Sequence, residues 1–197
     1  MANSNNGRAI RKRTLMLAQM GVLIAIMLIF HLTGIGYIKV GIFSLTIMMI
    51  PVIIGAITSG PLAGAILGGV FGMTILFLPE TQFFMGVNPI ATIVLVVGTR
   101  GLLVGFIGGM VYKLLGRFDK KKIWSLGVTG LLTSLLNTFV LIAGLAIIFY
   151  ESLGETRTGV FTAFISALAV QAVIEAVICT LFAVVIARIL IMYLKKN

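Results

Sequence analysis

Apolar runs of about 20 residues recur along the chain, separated by short segments rich in glycine, proline or charged residues. A helix of about 20 apolar residues can cross the roughly 30 Å hydrocarbon core of a bilayer. Four runs are clear, at 14–32, 90–115, 125–150 and 159–192. The pattern therefore predicts an all-α membrane protein in which these four runs are transmembrane helices.

The apolar segment 44–78 is too long for one span and is interrupted by the sequence TSGP at 58–61. Glycine and proline mark turns, and proline disfavours helical conformation in the residue before it. The interruption predicts two short helices, at 44–59 and 61–78. The whole chain, 1–197, is then a single domain of six transmembrane helices.

The distribution of lysine and arginine supports the count of six. Basic residues concentrate in short cytoplasmic loops, so an even number of spans must separate any two basic clusters. Six spans satisfy this condition, with both termini cytoplasmic, four spans before the central cluster and two after it. The three clusters are Arg8, Arg11, Lys12 and Arg13; Lys113, Arg117, Lys120, Lys121 and Lys122; and Arg188, Lys195 and Lys196.

The composition excludes a soluble globular domain, because 60% of the residues are hydrophobic and only 10% are charged. The net charge of +10 follows from the cytoplasmic clusters and suits anionic lipid. We therefore predict no nucleic-acid partner.

Two predicted outer loops are unusually apolar. The loop at 33–44, TGIGYIKVGIFS, alternates apolar residues among glycines, which predicts a short extended flap between the first two helices. The loop at 78–89 combines turn residues with aromatic ones. Both loops are open to two interpretations, a lid over a cavity or an interfacial aromatic belt. Their polar residues Tyr37, Lys39 and Asn88 are candidate ligand contacts.

Small residues recur at every fourth position in two of the predicted spans. Such stripes allow helix backbones to approach closely in lipid, and we interpret these two as intramolecular packing surfaces. The stripes are Gly60, Gly64, Gly68 and Gly72, and Gly101, Gly105 and Gly109.

Four polar residues lie at membrane depth: Arg100, Asn137, Gln171 and Glu175. A charge at the centre of a transmembrane helix costs about 3 kcal/mol on insertion scales, so these side chains should face protein or a water-filled cavity. We expect them to converge, with Glu175 deeper than the others. Arg100 then either forms a supporting ion pair with Glu175 or holds an anion, preferably a carboxylate that accepts two hydrogen bonds.

The sequence contains no phosphate-binding Gly-x-x-x-x-Gly-Lys-Ser/Thr loop and no constellation of catalytic residues. The single cysteine, Cys179, is predicted to be a buried apolar residue, and no metal site is expected. We therefore predict a protein that is not an enzyme and holds no cofactor of its own.

The segments TIMMIPVIIGAITSGPLAGAILGGVFGMT (46–74) and NPIATIVLVVGTRGLLVGFIGGMVYKLL (88–115) resemble the S-components of energy-coupling factor (ECF) vitamin transporters. The resemblance spans nearly the whole chain. It implies a multi-pass protein of the bacterial plasma membrane, with six spans and both ends inside, that binds a vitamin with high affinity on the outer side under its first loop.

The resemblance also implies partners. The S-component would dock on a transmembrane T-component and two ATPase subunits, which use the ATP, and would topple in the membrane to release the vitamin inward. Family members usually dock through small residues of the first helix. The matching positions here are Ala18, Gly21 and Ala25.

Among family members the chain is most similar to pantothenate-specific S-components, chiefly from NPIATI to TRGLLVG. Pantothenate is a small carboxylate with hydroxyl groups and an amide, which suits a site with one arginine and several amide side chains. Pyridoxine, hydroxymethylpyrimidine, folate and riboflavin are the alternative ligands. A different class of protein, a stand-alone channel or a structural membrane protein, would bind no vitamin with high affinity.

Overall fold

The computed structural model describes residues 2–40, 43–119, 123–149 and 157–196. These residues are almost entirely helical, and a small antiparallel hairpin follows the first helix. A π-helical segment, Val94–Leu103, joins two of the α-helices into one continuous rod. The elements are α1 (Ala2–Thr33), β1 (Tyr37–Val40), β2 (Phe43–Thr46), α2 (Met49–Ser59), α3 (Pro61–Ile75), α4 (Pro79–Val87), α5 (Pro89–Ile93), α6 (Val104–Leu115), α7 (Ile123–Phe149) and α8 (Arg157–Lys196).

Within the described residues, four helical stretches are long and apolar enough to cross a membrane, and two further apolar helices, α2 and α3, are shorter. The expectation of a helical, multi-pass membrane protein is therefore confirmed. Six spans and cytoplasmic termini stay predictions, and Lys120, Lys121 and Lys122 of the central basic cluster lie outside the described residues. The four long stretches are Arg13–Thr33, Pro89–Leu115, Trp124–Ala146 and Val170–Ile189.

The predicted break between α2 and α3 is confirmed. Gly60 has a φ of 94°, in the left-handed region that only glycine adopts readily, and Pro61 begins α3. Proline suits the first position of a helix, where its missing N–H would have no intrahelical partner. The two residues together end one helix and start the next without a loop.

The start of the second helix was predicted wrongly. The sequence placed it at residue 44, whereas α2 begins at Met49, because residues 43–46 form β2 and pair with β1. In this hairpin Tyr37 lies opposite Thr46, and Lys39 lies opposite Ser44. The extended flap predicted between the first two helices is thus a β-hairpin, the exception to the all-helical expectation.

The outer loop at 78–89 was also predicted incompletely, because most of it forms the helix α4. Its turn residues lie at the ends of the helix: Pro79 occupies the first turn, and Asn88 follows the last residue. The turn-forming residues therefore mark the two ends of α4, and the segment between them is helical.

The glycine stripes bring α3 against the π-helical segment and α6, as predicted. Gly68 faces Gly101 backbone to backbone, and Gly64 faces Gly105 in the same way. At the two ends of this contact, Gly72 lies against Val96 and Gly109 against Pro61. The rods are therefore antiparallel, and no side chain separates their backbones along this seam.

The helix α2 lies in the middle of the bundle. Every residue from Met49 to Ile57 is buried, and the side chains of Ile53, Leu67 and Phe71 are fully enclosed in the main core. This position explains why α2 is apolar all round, since a helix buried on every side has no polar face.

Candidate ligand-binding site

Arg100 lies inside the bundle, near the end of the π-helical segment. Its Nε donates a hydrogen bond to Asn137 Oδ1 of α7 across 2.9 Å, and its Cζ lies 5.8 Å from the centroid of the Phe71 ring of α3. A guanidinium over an aromatic face gains a cation–π attraction. Arg100 lies among three helices and is partly buried.

The π-helical geometry around Arg100 was not predicted. Long π-helical stretches are rare, and π-turns occur frequently at functional sites. Two glycines, Gly98 and Gly101, weaken the preference of this stretch for the α-helix, but they do not indicate the wider turn. Phe71 was likewise missed, because an aromatic residue within an apolar helix looks like any other core residue.

Glu175 of α8 lies at the same level as Asn137. The helices α7 and α8 run antiparallel, with Gly130 against Thr180 and Gly127 near Val184, and this register continues to bring Asn137 opposite Glu175. Both side chains are buried, with 0% of Asn137 and 3% of Glu175 exposed. The expectation that Glu175 lies deeper in the membrane than the other polar residues stays a prediction.

The predicted alternative of a supporting ion pair is not what the structure contains. Among the described residues no ion pair joins Arg100 to Glu175, although their charges interact electrostatically. The Oε1 atom of Glu175 is buried without a hydrogen-bond partner, and so is the Nδ2 atom of Asn137. The partner of Arg100 is a neutral amide, which leaves its charge available to an anion.

The site continues along α7 as a row of buried polar side chains that sequence reasoning missed. Thr129, Thr133 and Ser134 are buried, and the hydroxyl oxygens of the two threonines have no hydrogen-bond partner. Thr133 lies directly against Gly108 of α6. The spacing of four residues between Thr129, Thr133 and Asn137 was a readable signal, because residues four apart share one face of a helix.

The β-hairpin is connected to this site through Tyr37. The Tyr37 hydroxyl lies 3.3 Å from His31 Nδ1, and the two rings meet edge to face with centroids 6.0 Å apart. Tyr37 also interacts electrostatically with Arg100. The hairpin is therefore held to the end of α1 and lies on the side of the bundle from which it can reach Arg100. The Lys39 side chain lies outside the described part of the structure.

Asn88 and Gln171 lie in different environments. Asn88 caps α5: its Oδ1 accepts a hydrogen bond from the Ala91 backbone N–H at 3.1 Å. It lies twelve residues before Arg100 along the rod. Gln171 is partly buried on α8, one turn before Glu175. A ligand contact by either residue stays a prediction.

The small residues of α1 point away from the bundle. Ala18, Gly21 and Ala25 are exposed, whereas Leu23 and Met27 are buried in the core. A Cβ atom placed on Gly21 would meet nothing within 4 Å. The helix thus offers an open, shallow face to the surrounding membrane.

Cys179 is buried, as predicted. In the described part of the chain, no three His, Cys, Asp or Glu side chains lie close enough together to hold a metal ion.

One comparison with known proteins gives a match. A family model described as the substrate-specific component of ECF transporters matches residues 15–187 of the chain. No curated protein is significantly similar in sequence.

Proposed function

We propose that this chain, which belongs to the family of ECF transporter substrate-specific components, captures a vitamin, most simply pantothenate, at the outer side of the bacterial plasma membrane. The family consists of transport subunits rather than enzymes. The chain would deliver its ligand inward after docking on a T-component and two ATPase subunits.

The observation that carries the proposal is the state of Arg100. A cation inside a membrane protein is expensive unless it has a counter-charge or a function, and here its hydrogen-bond partner is the neutral Asn137. Guanidinium binds carboxylates through two parallel hydrogen bonds. The half-buried Arg100 is therefore suited to hold the acidic group of a ligand.

Pantothenate fits this site because it combines a carboxylate with hydroxyl groups and an amide. Folate also has carboxylates and is the strongest of the alternatives. Pyridoxine, hydroxymethylpyrimidine and riboflavin have no carboxylate to pair with Arg100, and the same chemistry makes them weaker candidates.

The flap and the first helix have separate roles in this proposal. The hairpin with Tyr37 and Lys39 closes over the ligand from outside, and the face of α1 formed by Ala18, Gly21 and Ala25 meets a helix of the T-component. Small residues favour such close contacts in lipid. The short helices α2 and α3 complete the six spans, and both termini are cytoplasmic.

Native mass spectrometry of the purified chain tests the binding function, followed by reconstitution in liposomes. We expect a co-purified vitamin, and we expect the chain alone to bind that vitamin without accumulating it, because ATP hydrolysis belongs to its partners. A stand-alone channel or structural protein would retain no vitamin. Concentrative uptake by the isolated chain would contradict the dependence on partners.

A further inference from the structure

We infer that Glu175 binds a hydrogen-bond donor of the ligand, so that the substrate is a vitamin with an acidic group at one end and a hydroxyl or N–H group at the other. This inference rests on the proposed function, because it concerns the same site. It assigns opposite ends of the ligand to Arg100 and Glu175.

Arg100 and Glu175 approach the level of Asn137 from different helices. Arg100 approaches Asn137 from the π-helical segment and donates to its Oδ1, while Glu175 approaches the same level from α8. The Phe71 ring adjoins the guanidinium on the α3 side. These contacts engage Nε and one face of the guanidinium, and among the described residues no ion pair joins Arg100 to Glu175.

A buried carboxylate oxygen without a hydrogen-bond partner needs a reason. Buried polar atoms nearly always have a hydrogen-bond partner, and opposite charges in a low-dielectric interior attract strongly. Yet Glu175 is 3% exposed, and its Oε1 has no partner. A third group that donates a hydrogen bond to Glu175 accounts for this arrangement.

The atoms around the site define complementary chemistry. The guanidinium and the unpartnered Asn137 Nδ2 can only donate hydrogen bonds, so they require acceptors such as a carboxylate or a carbonyl. An ionised Glu175 can only accept, so it requires a donor. Pantothenate has its carboxylate and its hydroxyl groups at opposite ends. A neutral vitamin would leave Arg100 unpaired, and a purely cationic one would be repelled by it.

The test compares pantothenate with two analogues that each lack one end. Pantothenol replaces the carboxylate with a neutral hydroxymethyl group, and N-(3,3-dimethylbutanoyl)-β-alanine keeps the carboxylate but lacks both hydroxyls. The affinities are measured by calorimetry on the wild-type chain and on Glu175→Met, which removes the acceptor at similar volume. Thr180→Val is the matched control, because it removes a buried, unpartnered hydroxyl one turn further along α8.

The wild-type chain should bind pantothenate about tenfold to a hundredfold more tightly than the analogue without hydroxyls, as expected for hydrogen bonds to a charged group. In Glu175→Met, the affinities for pantothenate and for the analogue without hydroxyls should become nearly equal, while pantothenate should still bind more tightly than pantothenol. In Thr180→Val, both differences in affinity should stay as in the wild-type chain. An unchanged ratio in a folded Glu175→Met variant would overturn the inference. Equal affinities of the wild-type chain for pantothenate and for the analogue without hydroxyls would also overturn it, and that comparison requires no variant.

The proposed function can fail separately. If mass spectrometry finds a bound vitamin without an acidic group or without a donor group, the inference is wrong and the binding function stands. If no vitamin binds at all, the proposed function is contradicted, and the inference is contradicted with it.

Discussion

The Arg100 guanidinium and the Asn137 amide are joined by one hydrogen bond, from Nε to Oδ1 across 2.9 Å. The bond links the π-helical segment to α7 at the level where α8 contributes Glu175. Because the amide is neutral, it fixes the orientation of the guanidinium without neutralising its charge. The remaining donors of Arg100 can then meet a ligand in a fixed geometry.

Replacing that amide with a carboxylate should separate stability from binding. In Asn137→Asp the new charge pairs with Arg100, so we expect thermal stability to be kept and the affinity for pantothenate to fall about tenfold or more. In Asn137→Leu the guanidinium loses its acceptor, so we expect a lower unfolding temperature and a smaller loss of affinity. Thermal unfolding and calorimetry on both variants check this crossed pattern. Parallel losses of stability and affinity in the two variants would contradict it.

The glycine seam provides a second prediction. A Cβ on Gly101 would lie 2.5 Å from the Gly68 carbonyl oxygen, whereas a Cβ on Gly98 would meet nothing within 4 Å. Gly101→Ala should therefore force α3 away and cost about 1–3 kcal/mol, while Gly98→Ala in the same π-helical segment should cost little. Unfolding of both variants in detergent measures the difference. Equal stability would mean that the seam is not closely packed.

The flap should respond to the ligand. If β1 and β2 close over the bound vitamin, their backbone amides should exchange hydrogen more slowly at saturating ligand, because lid closure orders the segment. Amides of α1 outside the site serve as the internal reference. Hydrogen exchange by mass spectrometry reports both regions. An unchanged rate in the hairpin would favour an interfacial aromatic belt instead.

The open face of α1 should matter for transport and not for binding. Gly21→Trp or Ala25→Trp should impair vitamin uptake by the assembled transporter, because a bulky side chain prevents close helix contact. Binding by the isolated chain should stay near normal. Val185→Trp, at an exposed position on α8, is the control. If the α1 variants lose binding as much as uptake, this face packs within the chain itself.

Local patterns predicted most of the fold. Hydropathy identified the four long spans, and the Gly60–Pro61 pair identified the break between α2 and α3, because both signals depend on neighbouring residues only. The glycine spacing predicted the packing of α3 on α6. The resemblance to ECF S-components is confirmed at the level of the family, and the vitamin stays a prediction.

The features that the sequence did not reveal depend on tertiary contacts. The level of Glu175 follows from the register of α7 on α8, and no periodicity within either helix specifies a register. The π-helical turns depend on how the rod packs against α3. The partner of Arg100 depends on tertiary contacts as well: charge alone left Glu175 and a bound anion as alternatives, and the hydrogen bond to Asn137 becomes visible only in the fold.

The affinity of the double variant Arg100→Gln, Glu175→Gln for pantothenate, measured in a folded and monodisperse preparation, decides whether Arg100 is the anion site. Removing both charges leaves neither one buried alone, so the fold should survive. We expect a loss of roughly 30-fold to several thousand-fold, because the carboxylate of the ligand loses its cationic partner inside the protein. An affinity near that of the wild-type chain would contradict the assignment of Arg100 as the anion site.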